Sequence, residues 1–168
     1  SDQLRLRTAV EFYGERKRVF AAYSLQMSRD FRLPQHPHPH TIFKPLQNTK
    51  TFLMVARMLE TKGVYEYCKC ARLVKQKYPD AVFNYLGAEG TVKLSDIQEY
   101  IDDGSIHYLG TTKDVRSYLE ECSVYVLPSY REGASVSIME AQATGRAVIT
   151  TQTIGCRNMI DEGENGFL

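Results

Sequence analysis

Glu132 and Glu140 are the residues of this chain whose placement most directly implies chemistry. They frame the run Val-Tyr-Val-Leu-Pro-Ser-Tyr-Arg-Glu-Gly over 124–133, which reaches Glu140 after six residues and continues as Ala-x-Ala-x-Gly-x-x-Val-Ile. A buried strand turns at Pro128-Ser129 into Glu132-Gly133, a helix carrying Glu140 follows, and a second buried strand starts at Ala147. The two carboxylates therefore bracket a helix N-terminus. Such a terminus offers free backbone N–H groups and a positive dipole end, which attract phosphate oxygens. The arrangement suits a nucleotide diphosphate linked to a sugar. Gly133 leaves the approach open, Glu140 has the two acceptor oxygens for vicinal ribose hydroxyls, and Glu132 faces whatever hangs from the distal phosphate. A plainer reading stands beside it, because Ser137-x-x-Glu140 also fits a capping box in which Glu140 reaches back to a backbone donor.

Cations are the second requirement. Arg57 and Lys62 stand five apart after an apolar run over 51–55, with Gly63 closing the turn between them and the next helix. Arg offers a fork that matches phosphate, and Lys a mobile point charge.

These residues are positioned by a regular alternation. Apolar runs predict strands over 51–55, 81–86, 105–109, 124–127 and 147–150. Between them, three- and four-residue apolar spacing predicts helices over 64–78, 94–101, 115–121 and 136–144. The first of these carries Tyr67, Ala71, Val74 and Tyr78 on one face and stops at Pro79. Strands separated by helices imply parallel pairing with right-handed crossovers, hence an α/β open sheet covered on both faces. Ligands of such sheets bind beyond the carboxyl ends of the strands. Arg57, Gly87, Gly110 and the 128–132 segment all fall at such ends.

Several function classes are excluded by composition. At 168 residues, 43% hydrophobic and 24% charged, the chain is an ordinary globular domain. The net charge of +1 divides unevenly. Residues 1–49 hold eight Arg/Lys against four Asp/Glu, and residues 50–168 hold thirteen against sixteen. The motif-bearing part is mildly acidic, so no nucleic-acid partner is expected. No apolar run approaches the ~20 residues of a bilayer span, and the start lacks a signal-peptide core, which gives the expectation of a cytoplasmic protein. Cys68, Cys70, Cys122 and Cys156 show no zinc spacing and are expected as reduced, mostly buried thiols.

The stretch 124–148 resembles the Glu-x7-Glu signature of retaining glycosyltransferases of the GT-B fold, in the large family (glycosyl transferases group 1) that includes capsular and lipopolysaccharide enzymes. Further matches follow in order over about 50–168. Phe52-Leu-Met-Val-Ala-Arg57-x4-Lys62-Gly63 resembles the family's first strand and turn. Phe83-x-x-Leu-Gly87 and His107-Tyr-Leu-Gly110 resemble its next two strand ends, and Gly155-Cys-Arg-x3-Asp-x-Gly-x-Asn-Gly166-Phe-Leu its closing loop.

The resemblance implies a Rossmann-like open parallel sheet, one half of a GT-B fold, that binds a nucleotide diphosphate sugar. It implies Arg57, Lys62 and Glu132 as the catalytic group, with the cations on the leaving diphosphate and Glu132 on the sugar hydroxyls. Gly133, Ala134, Ser135, Val136 and Glu140 would hold the donor, and Gly110 to Val115 would lie near the nucleobase; the alternative for that loop is a turn in which Thr112 or Asp114 caps the next helix. Ala134 and Ser135 depart from many relatives at positions that tune donor choice. No metal is expected, since the chain has no Asp-x-Asp and two cations can replace a divalent ion. Transfer to an acceptor hydroxyl with retention is implied, in surface-polysaccharide synthesis. A non-catalytic nucleotide-sugar module or an epimerase of the same fold are the alternatives. Glycoside hydrolysis fits poorly, because glutamates on one loop–helix unit do not flank a bond from opposite faces.

A complete enzyme of this fold needs two such domains, so the chain is expected to be a truncated domain of a larger transferase, inactive alone, whose missing N-terminal domain receives the acceptor. Residues 1–49 are expected as a helical and linker segment, and 50–168 as the nucleotide-sugar-binding domain. Leu6, Val10, Tyr13, Lys17 and Phe20 mark an imperfect amphipathic helix, suited to packing on the missing domain or, alternatively, to a membrane surface. His36-Pro-His38-Pro-His40 reads as extended linker, with a boundary over 34–45.

Overall fold

The computed structural model describes residues 50–168. The expectations for an amphipathic helix, a His-Pro linker and a domain boundary at 34–45 lie outside the described residues.

Six parallel strands form one sheet: β1 (Thr51–Val55), β2 (Val82–Leu86), β3 (His107–Tyr108), β4 (Val124–Leu127), β5 (Ala147–Thr150) and β6 (Gly166–Phe167). Their order is β3-β2-β1-β4-β5-β6. The intervening helices are α1 (Val64–Lys77), α2 (Gln98–Asp102), α3 (Arg116–Glu121), α4 (Val136–Ala143) and α5 (Ile154–Arg157). α1 packs beside α2, and α3 beside α4. Right-handed crossovers place those two pairs on opposite faces, because the chain winds outward to β3 and then returns past β1 to β4. Both faces are thus covered, which is why β4 and β5 are buried at every position.

The elements form where the patterns predict, with local corrections. The helix expected over 94–101 is a 3-10 turn at Leu94–Ile97 followed by α2, because the Asp96 carboxylate accepts from the Lys93 N–H at 2.8 Å and tightens the first turn. The strand expected over 105–109 shrinks to β3, an edge strand paired only with β2. The short elements α5 and β6 carry too few apolar residues to show periodicity. β6 exists because Gly166 lies against the β5 backbone, where a Cβ would come within 2.1 Å of the Val148 carbonyl oxygen.

The core is aromatic at its centre. Phe52 of β1 and Phe83 of β2 stack at 4.4 Å, and Tyr67 of α1 meets Phe83 edge-on at 5.7 Å. None of the four cysteines is in a disulfide, all are buried, and burial pushes the Cys68 and Cys122 thiols up to about 12, which keeps them protonated.

Four buried or half-buried tyrosines tie carbonyls of the sheet. Tyr67 donates to Asn84 (2.9 Å), Tyr85 to Ala56 (3.0 Å), Tyr108 to Gly87 (3.0 Å) and Tyr125 to Val55 (3.1 Å). Three of these carbonyls lie at or just past the carboxyl ends of β1 and β2, where the ladder stops satisfying them. Tyr125→Phe is expected to destabilise the domain by about 1 kcal/mol, read by urea denaturation, since it leaves the Val55 carbonyl without that donor.

Candidate functional site

The strand order reverses its direction between β1 and β4, the place where an open parallel sheet takes its ligands. Arg57 and Lys62 follow β1 there, and the 128–135 segment follows β4.

Gly63 sets the first loop. It ends the 3-10 turn Glu60–Lys62 with φ +75° and donates its N–H to the Glu60 carbonyl at 2.9 Å. A Cβ here would lie 2.1 Å from the Pro128 carbonyl oxygen, so the turn packs directly on the loop after β4. Hydrogen bonds fasten the two loops. The Tyr130 N–H donates to the Thr61 carbonyl at 2.9 Å, and the buried Ser129 hydroxyl stands 3.0 Å from both the Thr61 and Arg131 carbonyls. Thr151, just past β5, donates its hydroxyl to the Ser129 carbonyl and anchors the loop from the other side.

This clamp brings Lys62 and Glu132 together. The Lys62 Nζ lies 2.8 and 2.7 Å from the two Glu132 carboxylate oxygens, with the side chains 25% and 12% exposed. Arg57 is exposed on the same side and has no ion pair among the described residues. Its guanidinium is therefore available to an anion.

Gly133 is exposed, and a Cβ there would meet nothing within 4 Å, so the space beside it is open. Ala134 is exposed too. Ser135 is the N-cap of α4, but it is buried and caps no backbone donor; its hydroxyl meets that of Ser137 at 3.2 Å. The first turn of α4 is thus without a side-chain cap, and Val136, its first residue, is 61% exposed. Ser135 faces inward, so any part it plays toward a ligand runs through its backbone.

The capping box considered for Ser137 and Glu140 does not form. Glu140 is exposed, and its carboxylate makes no hydrogen bond or ion pair among the described residues, while its backbone carbonyl accepts from Thr144. Partial desolvation, then the negative charge of Asp114, push its carboxyl above the ordinary carboxylate value. A raised value means the folded chain holds this proton more tightly than the unfolded chain. Stability therefore falls as pH rises through the carboxylate range, and ionised Glu140 is a small liability at neutral pH. Glu140→Gln is expected to melt slightly above the parent at pH 7 and level with it near pH 3, by calorimetry at both values.

Asp114, whose charge acts on Glu140, belongs to the loop over 110–115. Gly110 has φ +79°, accepts from the Gly87 N–H at 2.8 Å, and has open space at its Cβ position. The turn reading of this loop is realised in part. Thr112 accepts from the Asp114 N–H at 3.1 Å, and Asp114 accepts from the Arg116 N–H at 3.1 Å and pairs with its guanidinium at 2.6 Å. Val115 is the half-buried N-cap of α3, packed on the core, while Gly110 and Thr111 stay on the open side.

Two groupings at the site join residues that lie apart in the sequence, and the second takes in Val136, which was expected to hold the donor. Thr61, Pro128, Ser129, Thr151 and Gly155 form the clamp, and the approach of Gly155 to Gly133 is closest, at 1.3 Å from a Cβ to the Gly133 carbonyl oxygen. Leu109, Tyr130, Val136 and Ile154, the exposed large hydrophobics of the described residues, all lie on the carboxyl rim of the sheet. Their dispersal along the sequence hides a shared edge. Among the described residues no three His, Cys, Asp or Glu side chains gather as metal ligands would, and no helix is long and apolar enough to cross a membrane.

A family model for glycosyl transferases group 1 matches residues 49–168. An N,N'-diacetylbacillosaminyl-diphospho-undecaprenol alpha-1,3-N-acetylgalactosaminyltransferase of Campylobacter jejuni is 37% identical over 115 residues, which cover 68% of this chain and 30% of that protein. A UDP-Gal:alpha-D-GlcNAc-diphosphoundecaprenol alpha-1,3-galactosyltransferase of Escherichia coli is 30% identical, covering 73% of this chain and 33% of its own length. The chain thus spans about a third of the length of these relatives. Among solved structures, the C-terminal domain of the group 1 glycosyl transferase LpcC from Francisella tularensis superposes with a TM-score of 0.62 at 27% identity, over 71% of this chain and 67% of that one. TarM of Staphylococcus aureus, solved with UDP, shares the fold at a TM-score of 0.69 and 24% identity, over 88% of this chain and 32% of its own. The sheet described above is the Rossmann-like half of a GT-B fold. By the family model and by these relatives, the chain belongs to the glycosyl transferases group 1 family.

Proposed function

We propose that residues 50–168 are the donor-binding domain of a retaining hexosyltransferase, which moves a sugar from a nucleotide diphosphate sugar to an acceptor hydroxyl during surface-polysaccharide assembly. The observation that carries this reading is the contact of Lys62 with Glu132 at the meeting of the loops after β1 and β4, next in the chain to the open space at Gly133 and the uncapped start of α4.

Each group has a role in that reaction. Breaking the bond between sugar and diphosphate leaves negative charge on the leaving phosphate. Arg57, Lys62 and the α4 N–H groups stabilise that charge where it develops. Glu132 orients the sugar through its hydroxyls, and Glu140 takes the ribose diol with its two free acceptor oxygens. The raised value of Glu140 supports this role, since a carboxylate that weakens the fold and has no partner is one a ligand would satisfy. The open side of the 110–115 loop receives the base. Arg57 and Lys62 supply the charge a divalent ion would otherwise bring, so transfer proceeds without metal.

The apolar rim of Leu109, Tyr130, Val136 and Ile154 faces the acceptor domain of the parent. Two relatives are named for lipid-diphosphate acceptors, which supports a similar acceptor here and a cytoplasmic parent working at the membrane surface.

Calorimetric titration of the full-length protein with UDP, GDP and ADP in EDTA tests the reading. Saturable binding of one nucleotide, weakened about tenfold or more by Arg57→Ala or Glu140→Ala, is the expected result. A folded parent that binds none of the three would refute it. A product assay with the matching nucleotide sugar separates transfer from epimerisation, which yields free nucleotide and an altered sugar.

A further inference from the structure

We propose that Glu132 determines selectivity for nucleotide sugar over free nucleotide by acting as the internal counter-anion of Lys62, which an incoming diphosphate must displace. The proposal rests on the donor-site reading above and adds a competition within it.

Glu132 reaches Lys62 with both oxygens, at 2.7 and 2.8 Å, the geometry of a bidentate anion on a cation. The contact is sheltered, with Glu132 only 12% exposed, so it is screened less than a surface pair. Neither side chain reached this position by chance of rotamer alone. Gly63 against Pro128 and the bonds of Thr61 to Ser129 and Tyr130 hold the two loops at a fixed separation. Arg57, which also follows β1, carries no such partner among the described residues.

The ligand-free site therefore presents one cation free and one neutralised. A diphosphate that takes Lys62 releases a carboxylate into a partly desolvated place beside the first turn of α4, and that carboxylate needs new donors. Sugar hydroxyls carried on the distal phosphate supply them. A nucleoside diphosphate without sugar does not, and must displace Glu132 with nothing in return. Nucleotide sugar is thereby favoured over the spent nucleotide, and departure of the nucleotide after transfer is assisted by closure of the pair.

The sign of one substitution decides the matter. In the full-length protein, Glu132→Gln keeps the shape and removes the charge. It is expected to bind the preferred member of UDP, GDP and ADP roughly fivefold more tightly than the parent, the equivalent of about 1 kcal/mol for a pair of this exposure. The same change in a Lys62→Met background is expected to give little tightening, since there is no pair to break. If Glu132 merely holds Lys62 in place for phosphate, Glu132→Gln weakens nucleotide binding instead. Unchanged or weaker binding by a Glu132→Gln protein whose melting shows it folded overturns the proposal. If the parent binds nucleotide and Arg57→Ala weakens it while Glu132→Gln leaves it unaltered, only the competition fails. If neither parent nor variant binds any of the three, the donor-site reading falls with it.

Discussion

Lys62→Ala in the full-length protein is expected to lower kcat/KM by about two to three orders of magnitude, with most of the loss in kcat. The reason is where the charge appears. In the reaction proposed above, the diphosphate already carries negative charge in the ground state, the breaking bond adds more, and a preformed cation beside it would act chiefly on the transition state. A second consequence separates this residue from an ordinary surface lysine. Removing the ammonium strands Glu132, 12% exposed, without its partner. That is expected to destabilise the domain by about 1 to 3 kcal/mol. Kinetics and denaturation of Lys62→Ala beside Lys62→Ala/Glu132→Gln separate the two effects. The double variant recovers stability and leaves turnover impaired. A Lys62→Ala protein with near-parent kcat/KM would show that the diphosphate is held elsewhere.

Gly155→Ala is expected to be the most disruptive small substitution for folding. Its Cβ would lie 1.3 Å from the Gly133 carbonyl oxygen and 2.5 Å from that of Glu132, and both obstacles are backbone. The start of α5 must move away from the loop, at a cost of about 3 kcal/mol or more, seen as a fall of roughly 10 °C or more in Tm. Gly133→Ala offers the contrast. Its Cβ meets nothing within 4 Å, so the fold is expected to melt near the parent temperature while nucleotide binding weakens where the methyl enters the open space. A Gly155→Ala variant as stable as Gly133→Ala would mean that this packing is not maintained in solution.

The same two glycines show why part of the site was hidden. Gly133 could be singled out because it sits inside the Glu132–Glu140 motif, whereas Gly155 acts on it from more than twenty residues away, through a contact that no local pattern announces. Ser129 and Thr61 are equally silent. Their hydroxyl and carbonyl matter only because the loops after β1 and β4 meet.

What the sequence determined by itself was the order of elements and the chemistry at their ends. Buried strands and amphipathic helices are local patterns, since period 2 and period 3.6 are read over a few residues, and parallel pairing with covered faces follows from their alternation. The family followed from several ordered motifs. Arg57, Lys62, Glu132 and Glu140 were candidates because charged residues at the ends of apolar runs are themselves local features.

The tertiary structure alone decided the rest. The strand order β3-β2-β1-β4-β5-β6 is a matter of which edges meet, and it puts the reversal between β1 and β4 rather than at another pair of strand ends. The pairing of Lys62 with Glu132 and the shared rim of Leu109, Tyr130, Val136 and Ile154 both join residues far apart in sequence. Such contacts are set by how loops pack once the sheet has formed. A residue's type records what it can do, and only the packing records what it is beside.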